Sequence, residues 1–216
     1  YNWLRKIGHS IIPPVPSLFT FNIQDHALTS LMGVYVPNAR VKVVNAKLQT
    51  EGPLLITHWG LSGPAVLKAS AWGARLLNET DYDFTVLVDW LNKYKEDDLR
   101  EELLFQKENH APKMVANTNP LELPKRLWEY FFEKAGIEGK ARWADVNKKQ
   151  INALIAVLIR DEYHVKGKTT FKEEFVTCGG ISLKEIDFAT MQSKKVPGLY
   201  FAGEVLDIDG ITGGFN

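Results

Sequence analysis

Cysteine is nearly absent: Cys178 is the single one in 216 residues, which excludes an intrachain disulfide and any dithiol redox pair within the chain. A reducing, cytoplasmic setting is the expectation that follows. No sign of charge is in surplus, since 26 Lys and Arg stand against 26 Asp and Glu. Neutrality argues against a generalised nucleic-acid or anionic-membrane surface and leaves only a local patch open, so a small-molecule substrate, no nucleic acid and no membrane are expected. There is no apolar run long enough to cross a bilayer and no secretory leader. His26, His110 and His164 are scattered without metal-ligand spacing, so no metal site is expected. No internal repeat or low-complexity segment is present. A composition of 45% hydrophobic and 24% charged residues is that of an ordinary globular chain of one large or two small domains. The first residue is Tyr1 rather than Met, and the chain reads as a piece of something longer.

What is there falls into three blocks. Residues 3–7 read as the end of a helix closed by Gly8, and Pro13, Pro14 and Pro16 then mark a crossing between units. From residue 18 to 57 the apolar residues alternate. Strands are predicted over 18–25, 33–36 and 40–44, the last two separated by Pro37-Asn38-Ala39. Strands over 47–50 and 54–57 flank a turn at Glu51-Gly52-Pro53. Residues 65–77 read as a helix with Pro64 at its first position, and 82–89 as another strand. Residues 90–162 carry helical spacing instead. The predicted inward faces are Leu99, Leu103 and Leu104, then Leu127, Tyr130 and Phe131 before a stop at Gly136. The third is Ile151, Leu154, Ile155, Leu158 and Ile159, with Asp145 as N-cap of a helix reaching Tyr163. Lys93, Lys95, Lys148 and Lys149 are read as solvated surface. Strand character returns at 163–176, with Lys166-Gly167-Lys168 as a turn. The order of strands, helices, strands predicts an α+β protein: a small antiparallel β-barrel-like unit with an inserted helical bundle.

The chemical signals lie in two stretches. Residues 198–204 read as a short apolar strand ending in Gly203 and Glu204. A carboxylate there accepts hydrogen bonds from sugar-like hydroxyls, or merely caps a buried strand. Gly210, Thr212, Gly213, Gly214, Phe215 and Asn216 form a glycine-rich loop. Such a loop presents backbone N–H groups to a phosphate or ring, or is a plain turn. In the other stretch, His58, Ser62 and Gly63 precede the helix that starts at Pro64. They are candidates for an anion or substrate contact with a titrating imidazole, or form a strand-to-helix turn with glycines placed for geometry. His9 is read as structural, and Cys178 as a small buried residue without an adjacent base.

Residues 8–18, 57–65, 177–187, 197–204 and 207–216 in combination resemble a bacterial family of flavoproteins. Its members are called NAD(P)/FAD-dependent oxidoreductases, NAD(FAD)-utilising dehydrogenases or aminoacetone-oxidase-like proteins, and one branch resembles bile-acid reductases. The resemblance implies an FAD-binding Rossmann-like domain interrupted by an insert. Residues 1–18 and 173–216 would be segments of that domain and 19–172 the insert, with the barrel in 19–89 and 163–172 and the helices in 90–162. It implies FAD held by Gly203, Glu204, Gly210, Thr212, Gly213, Gly214, Phe215 and Asn216, with NAD(P)H as a possible electron donor. His58, Ser62 and Gly63 would face the substrate. The glycine fingerprint of a dinucleotide fold is absent, which predicts that the N-terminal half of the cofactor site lies in a missing part of the same protein and that this piece alone is inactive. The other reading is a non-catalytic interaction module, a barrel with a helical cap.

Overall fold

The computed structural model describes residues 1–169 and 176–210. A short helix α1 (Asn2–Lys6) ends at Ile7, and Gly8 follows at φ 99°, the left-handed position that closes a helix. Strand β1 (Ile11–Ser17) contains all three early prolines. Among the described residues it pairs with a later strand on one side only, so prolines without an N–H are tolerated at this edge, and the ladder slips between Ile12 and Val15. The barrel begins with β2 (Thr20–Ile23), and helix α2 (His26–Thr29) follows, capped by the Asp25 carboxylate accepting from Leu28 N–H at 3.1 Å.

Strand β3 (Tyr35–Val43) runs straight through Pro37-Asn38-Ala39, where two strands were expected. The prolyl residue is absorbed by a register shift between Val36 and Ala39 rather than by a turn. Strand β4 (Gln49–Thr57) likewise runs through Glu51-Gly52-Pro53, the expected hairpin turn. The real turn lies between Val43 and Leu48 and is made by Asn45 at φ 61°, because asparagine tolerates the left-handed region that most side chains avoid. Strand β5 (Gly60–Ser62) then precedes helix α3 (Pro64–Trp72), with proline at its first turn. The expected helix over 65–77 is two helices: α4 (Ala74–Glu79) restarts at Gly73, whose Cα sits against Leu48.

Strand β6 (Asp83–Asp89) buries Phe84, Val86 and Val88 at a period of two. Helices α5 (Glu96–Asn109), α6 (Lys125–Lys134) and α7 (Lys148–Ile159) follow. In α5 the buried stripe is Leu99, Leu103 and Gln106, and Leu104 points to solvent, contrary to the expected face. Helix α7 is capped by Asn147 and Gln150 in a reciprocal capping box, while Asp145 sits in a preceding 3-10 turn, so the expected Asp145 cap is corrected. The helix stops at Ile159 and does not reach Tyr163, because β7 (Asp161–Thr169) starts there. Gly167, at φ 81°, lies inside β7, where a turn was expected. Strands β8 (Val176–Ile181), β9 (Ile186–Asp187) and β10 (Gln192–Ser193) complete the described elements.

The six strands β2, β5, β4, β3, β6 and β7 close into an antiparallel barrel. Closure removes the strand edges that an open sheet of this size would expose. Phe21 and Phe84 meet edge to face inside it at 5.1 Å. The helices are inserted between β6 and β7 and share one continuous core with the barrel. Asp161 marks the join: it accepts from Lys134 at 2.6 Å and from the Trp90 indole at 3.2 Å, and it bonds Tyr163. Outside the barrel, β1 and β8 form a two-stranded antiparallel sheet. There Leu4, Ile181, Ile186, Phe201 and Leu206 make a separate small core.

Candidate functional site

Of the strand expected at 198–204 there is a single bridge, between Gln192 and Tyr200, with Phe201 buried and Tyr200 60% exposed. Gly203, Glu204 and Val205 then form a 3-10 turn lying on β8. That close approach needs Gly180, at φ 147°: a Cβ there would stand 2.5 Å from the Val205 carbonyl oxygen. The turn aims Glu204 at the start of β8. Its Oε1 accepts from the Thr177 N–H at 2.5 Å and from the Thr177 hydroxyl at 2.9 Å. Oε2 has no partner among the described residues. A Cβ at Gly203, the residue before Glu204, would meet nothing within 4 Å among the described residues. The geometry suits a ligand chain of hydroxyls reaching Oε2 while Thr177 holds the other oxygen.

One residue that no local pattern marked, Arg75, ties this turn to helix α4. Arg75 of α4 donates to Asp207 at 2.7 Å, contacts the Cys178 sulfur and lies 3.9 Å from Asp209. Burial, then the Asp209 carboxylate, pushes the Cys178 thiol up to about 12 despite Arg75, so it stays protonated at neutral pH and is no nucleophile. The partners are more than a hundred positions apart, which is why the sequence shows no sign of the pairing. Beyond the turn, Gly210 is half-buried, and Thr212, Gly213, Gly214, Phe215 and Asn216 lie outside the described residues.

The structure separates the other candidates. His58 and Trp59 form the exposed tip of a hairpin between β4 and β5, in which Thr57 pairs with Gly60. Strand β5 then runs back to Ser62, so His58 and Ser62 stand at opposite ends of it, where a single strand-to-helix turn had been read. Ser62 Oγ accepts from Thr20 at 3.1 Å. Gly63, at φ 91°, lets the chain pass the Pro53 carbonyl oxygen, 2.9 Å from where a Cβ would be, so its role here is packing. Thr20 is four residues from Pro16, which pairs with Thr177. Those four residues span at most about 14 Å, so Ser62 stands at the end of β5 that the chain reaches from the Pro16–Thr177 pair. His58 instead lines a cleft of about 450 Å³ with Trp59, His26 and Lys166 on the barrel's side.

His9, read as structural, sits buried in a polar knot. Its Nδ1 bonds Glu185 at 2.9 Å and its Nε2 bonds Ser193 at 3.1 Å. The order acid, imidazole, hydroxyl is that of a hydrolase triad. Ser193 is buried, however, and its oxygen already accepts from the N–H groups of Lys195 and Val196. It closes a turn and does not face a substrate. Among the described residues no group of His, Cys, Asp and Glu is arranged to hold a metal, and no helix is long and apolar enough to cross a membrane.

Fold and site together define a mixed α/β protein: a closed antiparallel barrel with a helical unit, joined to a small second core that presents an acidic turn. Residues 15–176 match the family model described as HI0933-like protein barrel and H2TH domain. The chain belongs to the HI0933-like family, a flavoprotein family of oxidoreductase type. It is 32% identical to the ribosomal RNA dihydrouridine synthase of Haemophilus influenzae and 33% identical to that of Escherichia coli. It is 27% identical to the 3-dehydro-bile acid delta(4,6)-reductase of Clostridium scindens. Each similarity covers 100% of this chain and 51%, 52% and 53% of the respective relatives. The chain therefore spans about half the length of the curated relatives it matches.

Proposed function

We propose that this chain is the barrel-bearing part of an FAD-dependent reductase that saturates a carbon–carbon double bond conjugated to a carbonyl. The carrying observation is the likeness along the whole chain to relatives of two names that share this chemistry. A dihydrouridine synthase, by its name, saturates the uracil ring beside a carbonyl, and a 3-dehydro delta(4,6)-reductase acts on a double bond conjugated to a ketone. When bound, FAD supplies the hydride, and NAD(P)H is the proposed donor that reloads it. This chain's part is to bind and orient. Glu204 would accept from the ribityl hydroxyls while Thr177 keeps the carboxylate aimed, and Gly203, without a side chain, would allow close approach. By the family resemblance Gly210 would contribute to the same cofactor site, as would Thr212, Gly213, Gly214, Phe215 and Asn216, which lie outside the described residues. Ser62 with Gly63, at the end of β5 nearest that face, fits the substrate side better than His58.

The flanking segments support a seam against another part of the same protein. Among the described residues the second core has five buried apolar side chains, too few to be self-sufficient. The same segments expose Trp3, Ile7, Phe188, Tyr200 and Ile208. On this reading residues 1–18 and 173–216 complete a cofactor domain and 19–172 form the insert.

The test uses the full-length protein. Purified protein should carry flavin absorbance, oxidise NADPH in the presence of uracil in ribosomal RNA or of a steroid 4,6-dien-3-one, and yield the saturated product in equal amount. A full-length protein that is colourless and cannot be reconstituted with FAD would leave the interaction-module reading in its place.

A further inference from the structure

The connections between the three long helices enclose a cleft of about 510 Å³ lined by Pro112, Lys113, Met114, Asn117, Lys140 and Arg142. The lining holds three cations and no carboxylate, on a molecule whose charges balance overall. None of the three makes an ion pair among the described residues. Asp145, three residues on from Arg142, turns its carboxylate back to accept from the Arg142 backbone N–H at 3.3 Å. The frame is rigid. Met114 bridges Arg142, Val115 N–H donates to Ala141, and Trp143 N–H donates to Lys113. Two buried tryptophans brace it from below, Trp128 donating to the Val115 carbonyl at 3.0 Å and Trp143 to the Thr118 hydroxyl at 2.9 Å. A braced concave site with three uncompensated cations suits a phosphodiester backbone.

Position says what kind of anion. The helices join the barrel where β6 ends and β7 begins at Asp161, whereas the Glu204 end lies beyond the opposite end of β7, where Thr169 pairs with Thr20. Eight residue steps along β7 are about 26 Å. A small substrate at the flavin cannot also reach the helical unit, but a polymer can.

We propose that this cleft binds the phosphate backbone of an RNA that presents its uracil at the distant flavin site, an inference that rests on the reductase reading above. The overall neutrality that argues against a generalised nucleic-acid surface is compatible with such a local patch.

The experiment measures binding of a fluorescein-labelled RNA stem–loop to the full-length protein across a potassium chloride series, by anisotropy. The triple variant Lys113→Ala, Lys140→Ala, Arg142→Ala should bind at least about tenfold more weakly at moderate salt, with the slope of log affinity against log salt shallower by about 2 to 3. The single reversal Lys140→Glu, on an exposed side chain, should weaken binding in the same direction should the triple variant fold poorly. Lys148→Ala with Lys149→Ala, on the exposed start of α7, should leave affinity within about twofold. Unchanged affinity and slope in Lys140→Glu and the triple variant, or an equal loss in the α7 control, would overturn the cleft. Flavin content is read on the same samples. A flavin-loaded protein with cleft-independent RNA affinity removes the cleft and leaves the reductase. A flavin-free protein whose RNA affinity depends on the cleft removes the reductase and leaves the cleft.

Discussion

Glu204 divides its carboxylate between the fold and the space beside it. Removing it therefore has two effects: Thr177 loses the acceptor for two donors, and any ligand at Oε2 loses its partner. Glu204→Gln keeps an oxygen for Thr177 and removes only the charge. In the full-length protein Glu204→Ala should raise the FAD dissociation constant about tenfold or more, and Glu204→Gln by less, read by flavin release on dilution. Equal, unchanged affinity in both would remove Glu204 from the cofactor site. Glu185 offers a test of stability. Burial works against its charge, but bonds from Lys195, Ser10 and His9 outweigh it and hold the carboxyl down to about 2 from an ordinary 4.5. Because the folded value lies below the unfolded one, its contribution is complete above about pH 4.5 and is lost as pH falls through about 2. Glu185→Gln should flatten the acid limb of a urea-unfolding series across that window, and an unchanged limb would refute the assignment.

Among the elements, β5 is the shortest strand of the barrel and the most exacting. Gly60 lies where a Cβ would stand 2.3 Å from the Phe21 carbonyl oxygen and 2.7 Å from the Ile23 nitrogen, at φ 139°. Gly60→Ala must push β5 from β2, opening the barrel at the join nearest the His58–Trp59 tip, at a cost of about 2–4 kcal/mol. The expected outcome is a lowered unfolding midpoint, checked by urea titration. Asp161 plays the matching role between barrel and helices. Burial raises its pKa while Lys134 opposes the rise, so the pair depends on both partners. Lys134→Met should destabilise by about 3–5 kcal/mol by stranding the buried acid, and adding Asp161→Asn should recover part of that loss. Additive losses in the double variant would show that the pair is not coupled.

For the molecule as a whole, the division into a large shared core and a five-residue second core predicts unequal stability. Hydrogen exchange on the 216-residue chain should show the barrel and helices protected and residues 183–206 exchanging first. The same chain should purify without stoichiometric flavin, because only one side of the proposed cofactor site is present; stoichiometric FAD in it would contradict the seam.

Much of this architecture could be read from residue order. Alternation over β6 and the stripes of α6 and α7 announced their elements, because a period of two or of 3.6 survives in sequence wherever one face is buried. The breaks were less legible. Proline and glycine at 37 and 51–53 read as turns, yet a closed barrel absorbs the first at a register shift in β3 and runs the second straight through β4, while the true turn rests on Asn45. Glu204 stood out as an acid after a small-residue stretch, but its partner Thr177, and Arg75 beside Asp207, are distant in sequence and become neighbours only when β1 and β8 pair. Likewise His58 and Ser62 are four residues apart, and the intervening strand sends them to opposite ends. By itself the sequence determined the order of strands and helices, the neutral charge and the candidate acid, since these follow from local patterning and composition. The tertiary structure decided barrel closure, the orientation of Glu204 and the gathering of Lys113, Lys140 and Arg142, since each depends on contacts between segments that no local pattern encodes.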